Sequence, residues 1–501
     1  MKKEQSVAFW IWLGMISAAG SIAVHVMTSP FGLGLIPDSI EYLQGAKYLV
    51  LGQGFAGYDK AGHLVANSWY GPGLSMLLSL GWFFGLSFVD WARLFNIFLF
   101  GVNIFLAGSI VYYLSRSVRA GLVTALFFTT SVHLLEVHGK LISEPLFLSV
   151  FLGTCLSVLV FIDTGSRRSL YLAALCAGLS VLTRYSGIPV ITAVALWLWV
   201  WKRDKGGARD TGIFLLVSLL IPLVLFVRNM VLTGYPAGSG FAYYPQYAER
   251  ILIVVNSFSE WLLPSKFPPV MRWAVLGFCL IGLVQWLRVN WRQFNAAIRK
   301  GLSLIGIFTG VYIAMVFFAG FFRGTDIVLT HRLMAPVYAL MVIGLGMIVS
   351  LESKAWTLKK RLWTALFLIF FIFTFLRAGQ LAVSFYKNGF DYAARKLTTS
   401  RLVETLRSID DRVPLYSNRP EAVWHFSGRP AVRIPSAGED DGFFPPMGTL
   451  ANDFKNQRAV AIIFEPEKFV LGKKWNAAVR ELELEVLMKD PQGNIYGVRK
   501  K

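Results

Sequence analysis

Long, nearly uncharged apolar runs dominate the chain up to residue 380, in place of the 3.6-residue or two-residue alternation of half-buried helices and strands. Crossing the hydrocarbon core takes about 20 apolar residues of helix, and on that criterion the chain is expected to be a polytopic α-helical membrane protein of about eleven transmembrane helices. They fall near residues 7–27, 91–114, 121–135, 141–162, 170–183, 188–201, 211–227, 270–287, 302–322, 330–350 and 362–380. The first run follows Lys2 and Lys3 without a convincing small-residue cleavage site and reads as a retained helix, not a signal peptide. Residues 72–89 are also apolar, but Gly81 and Gly85 break them beside a long polar loop. They read as a juxtamembrane helix lying at the interface.

Near Phe385 the pattern changes: Gly, Pro and charged residues become frequent and no run long enough to span follows. Residues 1–384 are therefore read as a transmembrane domain with a long first external loop over 28–90, and 385–501 as a small soluble α/β domain. In the latter, helices are expected over 391–408, 450–455 and 473–482, with strands near 415–417, 432–434, 459–464, 485–488 and 495–498.

Composition agrees with a bilayer as solvent: 55% of the 501 residues are hydrophobic, 16% are charged, and the mean hydropathy is +0.55. The net charge of +20 would suit a nucleic-acid binder, but its distribution argues for topology instead. With the N-terminus inside, the N-terminal segment and the connectors 115–120, 163–169, 202–210, 288–301 and 351–361 carry about eighteen Lys and Arg against about five acids. Treating 72–89 as a span would put these basic loops outside. The odd count places the C-terminal domain outside, with 31–71, 136–140, 184–187, 228–269 and 323–332. The three cysteines, Cys155, Cys176 and Cys279, lie in apolar runs and imply no disulfide framework.

The external segments hold the candidate chemistry. The first contains Asp38 and Glu41 just beyond the first span, then Gly52 to Gly57, then Trp69 and Tyr70; long ordered loops are commonly functional. A second acid, Glu144, stands at the outer end of the fourth span, with Pro145 suited to a first helical turn. Arg184, Arg228 and Arg332, with Lys140, Arg323 and His331 nearby, lie on the side the positive-inside rule disfavours. Arginine forks match phosphate oxygens. Cations and acids of this kind suit group transfer from a phosphate ester, in which a carboxylate takes a proton and cations hold the leaving phosphate. Against this stand blander roles: helix capping and solvation for the acids, snorkelling and headgroup contact for the arginines. His63, His133 and His138 show no zinc-ligand spacing. Asp38 with Glu41 would be the oxygen ligands of a divalent cation, if one is used. Pro236, Gly238, Gly240, Tyr243, Tyr244 and Tyr247 form an external loop suited either to covering a donor or to resting on the interface.

The order of Asp38 and Glu41 after the first helix, Tyr70-Gly71-Pro72-Gly73, Ser-Glu-Pro-Leu-Phe at 143–147, Leu-Thr-Arg-Tyr-Ser-Gly at 182–187, Arg228-Asn229 with Thr233-Gly234, and His331-Arg332 before Pro336 resembles the GT-C glycosyltransferases. The branch holding protein O-mannosyltransferases and lipid A aminoarabinose transferases is the most similar. The resemblance spans about residues 7–380 and implies a polyprenyl-phosphate sugar donor meeting an acceptor at the outer face of a bacterial inner membrane. It carries the acidic base or metal ligand of the first external loop onto Asp38 and the second external acid onto Glu144. The family often sets a second acid beside the first, where this chain has Ser39 and then Glu41 three positions on. A lipid, protein or glycan acceptor would leave the same marks. The alternative function is a flippase or transporter of a lipid-linked sugar, which would call for internal repeats and charges near the bilayer midplane. Here the polar residues gather towards one face.

Overall fold

The structure, a computed structural model, describes residues 2–202, 206–238, 247–322, 332–350, 358–437, 444–468 and 470–498. Among these, seven helices are long and apolar enough to cross a membrane: Val7–Met27, Phe88–Ser115, Glu144–Thr164, Gly207–Thr233, Pro269–Gln293, Ala296–Gly320 and Phe367–Asn388. An eighth crossing arises if Val118–Thr129 and Val132–His138, bent by 60° at their junction, act together. The chain is thus a mostly helical, multi-pass membrane protein. The bend has a local cause, since the Ser131 hydroxyl accepts from the Leu134 amide and caps a new helix. The remaining three apolar runs form Arg167–Thr183, Ile188–Trp201 and Ala335–Val349, of 17, 14 and 15 residues. At about 1.5 Å rise per residue such helices fall short of a core about 30 Å thick, so the expectation of about eleven spans counts three helices too short to cross alone.

The chain divides into two compact units, the first comprising Met1–Met27, Ser68–Leu74 and Leu94–Val383. Small residues let its helices approach closely, as expected where lipid offers no hydrophobic drive to associate. A Cβ on Gly178 would lie 2.8 Å from the Ser218 carbonyl oxygen of helix Gly207–Thr233, and one on Gly121 would lie 3.1 Å from that of Gly108. Phe9 stacks on Tyr112 with ring centroids 3.9 Å apart beside this second contact. Phe88–Ser115 and Glu144–Thr164 are the most enclosed spans, 61% buried, whereas Pro269–Gln293 is 6% buried.

The second unit comprises Thr28–Asn67, Ser75–Arg93 and Ser384–Lys501. Its N-terminal part is the helix Pro37–Val50 followed by an antiparallel hairpin of β1 (Ala56–Tyr58) and β2 (Leu64–Ala66), paired Ala56 to Ala66. The Asp59 carboxylate closes the hairpin turn by accepting from the Ala61 and His63 amides at 2.9 and 2.8 Å. Residues 72–89 become the short helix Gly73–Ser79, a 3₁₀ turn over Leu80–Phe84, and the start of Phe88–Ser115. Trp82, Phe83 and Phe84 are exposed there.

The C-terminal segment adds β3 (Leu415–Ser417), β4 (Val432–Arg433), β5 (Val460–Phe464), β6 (Glu485–Asp490) and β7 (Gly493–Gly497) in the order β4-β3-β5-β7-β6. β3 runs parallel to β4 and β5, and β7 antiparallel to β5 and β6. Tyr416, Phe454, Ile463 and Trp475 belong to the core over this sheet. The helix expected over 391–408 is two pieces, Arg395–Thr398 and Arg401–Ser408, because Ser400 caps the second by accepting from the Val403 amide. The first loop is stitched to this segment. The Tyr392 amide donates to the Leu35 carbonyl at 3.0 Å, the Arg433 amide to that of Lys60 at 2.8 Å, and helix Pro37–Val50 packs on helix Pro420–Ser427.

Candidate active site

In the first unit, Glu144 opens the helix Glu144–Thr164 with Pro145 beside it, so its carboxylate lies at the positive end of the helix dipole. Only 2% of the residue is exposed. Two arginines from distant chain positions meet it there: Arg184 Nη1 lies 2.7 Å and Arg332 Nε 2.8 Å from Glu144 Oε1. Arg184 sits in extended backbone between the helix Arg167–Thr183 and the 3₁₀ turn Tyr185–Gly187, and its Nη1 also donates to Ser143 Oγ at 2.9 Å. Two cations facing one buried anion leave a net positive charge, which is the electrostatic requirement for holding a phosphate.

The turn carrying Arg184 is held from two directions. Tyr185 donates its hydroxyl to the Ser68 carbonyl at 2.7 Å and accepts from Asn229 Nδ2 at 2.9 Å. Gly71 and Gly73 lie against the end of the helix Arg167–Thr183: a Cβ on Gly71 would come within 2.4 Å of the Leu182 carbonyl oxygen. The Tyr-Gly-Pro-Gly and Leu-Thr-Arg-Tyr-Ser-Gly stretches, separate in sequence, are therefore one packed element.

The peptide leading into Glu144 is pinned by a buried polar network that the sequence reading missed. Asn103 Nδ2 donates to the Pro145 carbonyl at 3.1 Å and contacts His138 Nε2 at 3.0 Å, while Asn103 Oδ1 accepts from Ser149 Oγ at 2.7 Å. His138 Nδ1 lies 2.6 Å from the Leu134 carbonyl, which can only accept. Nδ1 therefore carries the proton and Nε2 accepts, fixing one neutral tautomer. Asn96 Nδ2 donates to the carbonyls of His138 and Lys140 at 3.1 and 2.7 Å. Asn96 and Asn103, seven residues apart on one face of an apolar helix, are the signal that sequence carried for this network.

Other expected phosphate ligands have different partners. Lys140 pairs with Glu136 at 2.5 Å, and Arg228 Nη1 donates to Asn229 Oδ1 at 2.9 Å, one residue from the Tyr185 contact. His331, Arg323, Gly240, Tyr243 and Tyr244 lie outside the described residues. A further charged group that sequence reasoning did not single out joins Arg272 Nη1 to Glu260 Oε1 at 2.9 Å.

Asp38 and Glu41 belong to the second unit, one helical turn apart on Pro37–Val50. Ser39 Oγ caps this helix start by accepting from the Ile36 amide at 2.9 Å. Glu41 Oε2 accepts from Asn67 Nδ2 at 2.9 Å, and a Cβ on Gly57 of β1 would stand 3.2 Å from the same oxygen. Burial, then the nearby charges of Glu421 and Asp38, push the Glu41 carboxyl up to about 8, against which the Asn67 bond works weakly. At neutral pH it is mostly protonated. Among the described residues, no three or more His, Cys, Asp or Glu side chains are grouped to hold a metal ion.

The whole chain matches solved structures of membrane glycosyltransferases. ArnT from Cupriavidus metallidurans in the apo state superposes with a TM-score of 0.53 at 13% identity over 97% of each chain. The same protein bound to undecaprenyl phosphate gives 0.51 at 14% identity, also over 97% of each. AglB from Archaeoglobus fulgidus, in complex with an inhibitory peptide and a dolichol-phosphate, gives 0.53 at 13% identity over 91% of this chain and 69% of its own. The arabinofuranosyltransferase AftD from Mycobacteria gives 0.52 at 13% identity over 98% and 40%. All three proteins are GT-C superfamily glycosyltransferases, and the chain has the GT-C fold. No protein-family profile and no curated protein sequence matches it.

Proposed function

We propose that the protein is a membrane glycosyltransferase that moves a sugar from a polyprenyl-phosphate carrier to an acceptor hydroxyl at the outer face of a bacterial inner membrane. The observation that carries this reading is the Glu144–Arg184–Arg332 group, a net positive constellation around a buried carboxylate in a GT-C fold. Counting the bent pair and the three short helices as crossings gives eleven. An odd count puts the two ends on opposite sides of the membrane, and the basic connectors favour the N-terminus inside and the soluble segment outside.

In the reaction, the acceptor oxygen attacks the anomeric carbon of the donor as the bond from that carbon to the phosphate oxygen breaks. The bonding electron pair leaves with the phosphate, and the configuration inverts. Asp38 takes the acceptor's proton. Arg184 and Arg332 stabilise the leaving phosphate, and Glu144 positions both guanidiniums by pairing with them. Arg228, Lys140 and His331 add to the cationic surroundings of the carrier. A divalent cation would draw on Asp38 and Glu41, but the pair fits it poorly because Glu41 Oε2 is already bonded to Asn67 and, among the described residues, no third His, Cys, Asp or Glu joins them. The ArnT and AglB structures with undecaprenyl phosphate and dolichol-phosphate support a polyprenyl-phosphate donor, and the AglB peptide complex keeps a protein acceptor beside the lipid and glycan classes.

The test is sugar transfer from radiolabelled polyprenyl-phosphate sugars in membranes holding equal amounts of wild type, Asp38→Asn or Arg184→Gln. Donor consumption that depends on the protein and falls by about 100-fold or more in each variant is expected. Wild type that consumes no donor while lipid-linked sugar accumulates in the outer leaflet replaces this reading with a flippase.

A further inference from the structure

Tyr312, on the helix Ala296–Phe322, is fully buried and has no part in the transfer chemistry above. Its ring stacks on Phe308 with centroids 5.4 Å apart, Phe308 meets Phe151 at 4.5 Å, and Phe151 stacks on Phe147 at 6.3 Å. Phe147 and Phe151 belong to the helix that Glu144 opens. This aromatic column fixes the phenol relative to Glu144 by packing, which a phenylalanine would do as well. The hydroxyl is the added feature, and a buried hydroxyl costs free energy unless its bonds are made.

Its bonds lead to both arginine-bearing segments. Tyr312 Oη donates to the Leu333 carbonyl at 2.7 Å, in the residue directly after Arg332. The same oxygen is hydrogen-bonded to the Ser186 side chain, and Ser186 Oγ accepts from Arg184 Nε at 3.4 Å. A guanidinium only donates and a carbonyl only accepts, so the bonds run one way, from Arg184 through Ser186 and Tyr312 to Leu333. Glu144 joins the two guanidiniums by charge, whereas this second link is made of neutral groups. An arriving phosphate competes with Glu144 for the guanidiniums but leaves the neutral link in place. Resting on the transferase reading, we propose that the Tyr312 hydroxyl is a positioning group that sets the spacing of Arg184 and Arg332 for the carrier phosphate.

The experiment places the full-length protein in lipid nanodiscs doped with undecaprenyl phosphate or with undecaprenol and measures bound lipid by native mass spectrometry. Tyr312→Phe, which keeps the aromatic column, is expected to weaken undecaprenyl phosphate binding by roughly tenfold and to leave undecaprenol binding unchanged. In an Arg332→Gln background the effect is expected to shrink to about threefold or less, because one of the two groups being positioned is gone. Ser303→Ala deletes the bond from Trp197 Nε1 about 14 Å along the same helix and is expected to leave binding of both lipids unchanged. A merely structural tyrosine would weaken both lipids and do so equally with and without Arg332. That result, or phosphate binding untouched by Tyr312→Phe, overturns this inference alone. Wild type that holds the two lipids equally overturns the transferase reading and the inference with it.

Discussion

Glu144 and Glu41 are the same residue type, both near the start of a helix and both withdrawn from water, but their surroundings give them opposite roles. Glu144 has two arginines within 2.8 Å, so its burial is compensated by charge. Glu41 has an amide from Asn67 and the repulsion of Glu421 and Asp38, so its burial is relieved by keeping the proton. Desolvation alone does not decide whether a carboxyl is charged; the sign of what faces it does. The first arrangement gathers cations for an anion. The second stores a proton one turn from the residue assigned as base.

The contrast is sharpened first by Glu144→Gln, which strands two guanidiniums. Removing one partner of a buried pair typically costs about 3–5 kcal/mol, and the lower end applies here because Arg332 is partly exposed. The drop is measured by chemical unfolding in nanodiscs. Asn103→Leu, which deletes the bonds to His138, Pro145 and Ser149 while leaving the ion pairs, is expected to cost about 2 kcal/mol in the same assay. A smaller effect is expected of Glu41→Gln at neutral pH, where it replaces one neutral group by another, and its signature is in the pH dependence. The folded Glu41 carboxyl keeps its proton up to about 8 and the unfolded one to 4.5. Its contribution is therefore complete below 4.5, declines as pH rises through that window, and is lost above about 8. Thermal melts of wild type across the window should show this decline and Glu41→Gln should lack it. The smallest change expected is a shift of the window itself: Glu421→Gln removes a repelling charge and moves its upper edge down, while Asn67→Ala moves it up. If Glu421→Gln leaves the edge in place, the Glu421 charge is not part of the cause.

Much of the first site was legible because its residues break a rule. Arg184 and Arg332 are cations on the side that the basic connectors mark as external, and Glu144 is an acid at a helix end; these three come together. Lys140 and Arg228 break the same rule but take local partners, Glu136 and Asn229. The rule marks a cation as purposeful without saying what it holds. The Asn96, Asn103 and His138 network escaped notice because neutral polar residues disturb hydropathy little. The helix Pro420–Ser427 was missed although Pro420 at its first turn and Gly428 after it, with φ of 74°, were ordinary boundary signals.

The sequence by itself determined that this is a multi-pass membrane protein, because the transfer of apolar residues into lipid sums along a run and needs no knowledge of neighbours. It did not determine which runs cross alone, since a helix of 14 or 17 residues has the hydropathy of a span but not its length. Only the tertiary structure decided that residues 28–67 pack with the segment after residue 384, that Glu144 is paired and that burial beside Glu421 and Asp38 pushes the Glu41 carboxyl up. Those outcomes depend on distances between groups far apart in the chain, and charge, unlike hydropathy, acquires its energy only from what stands opposite it.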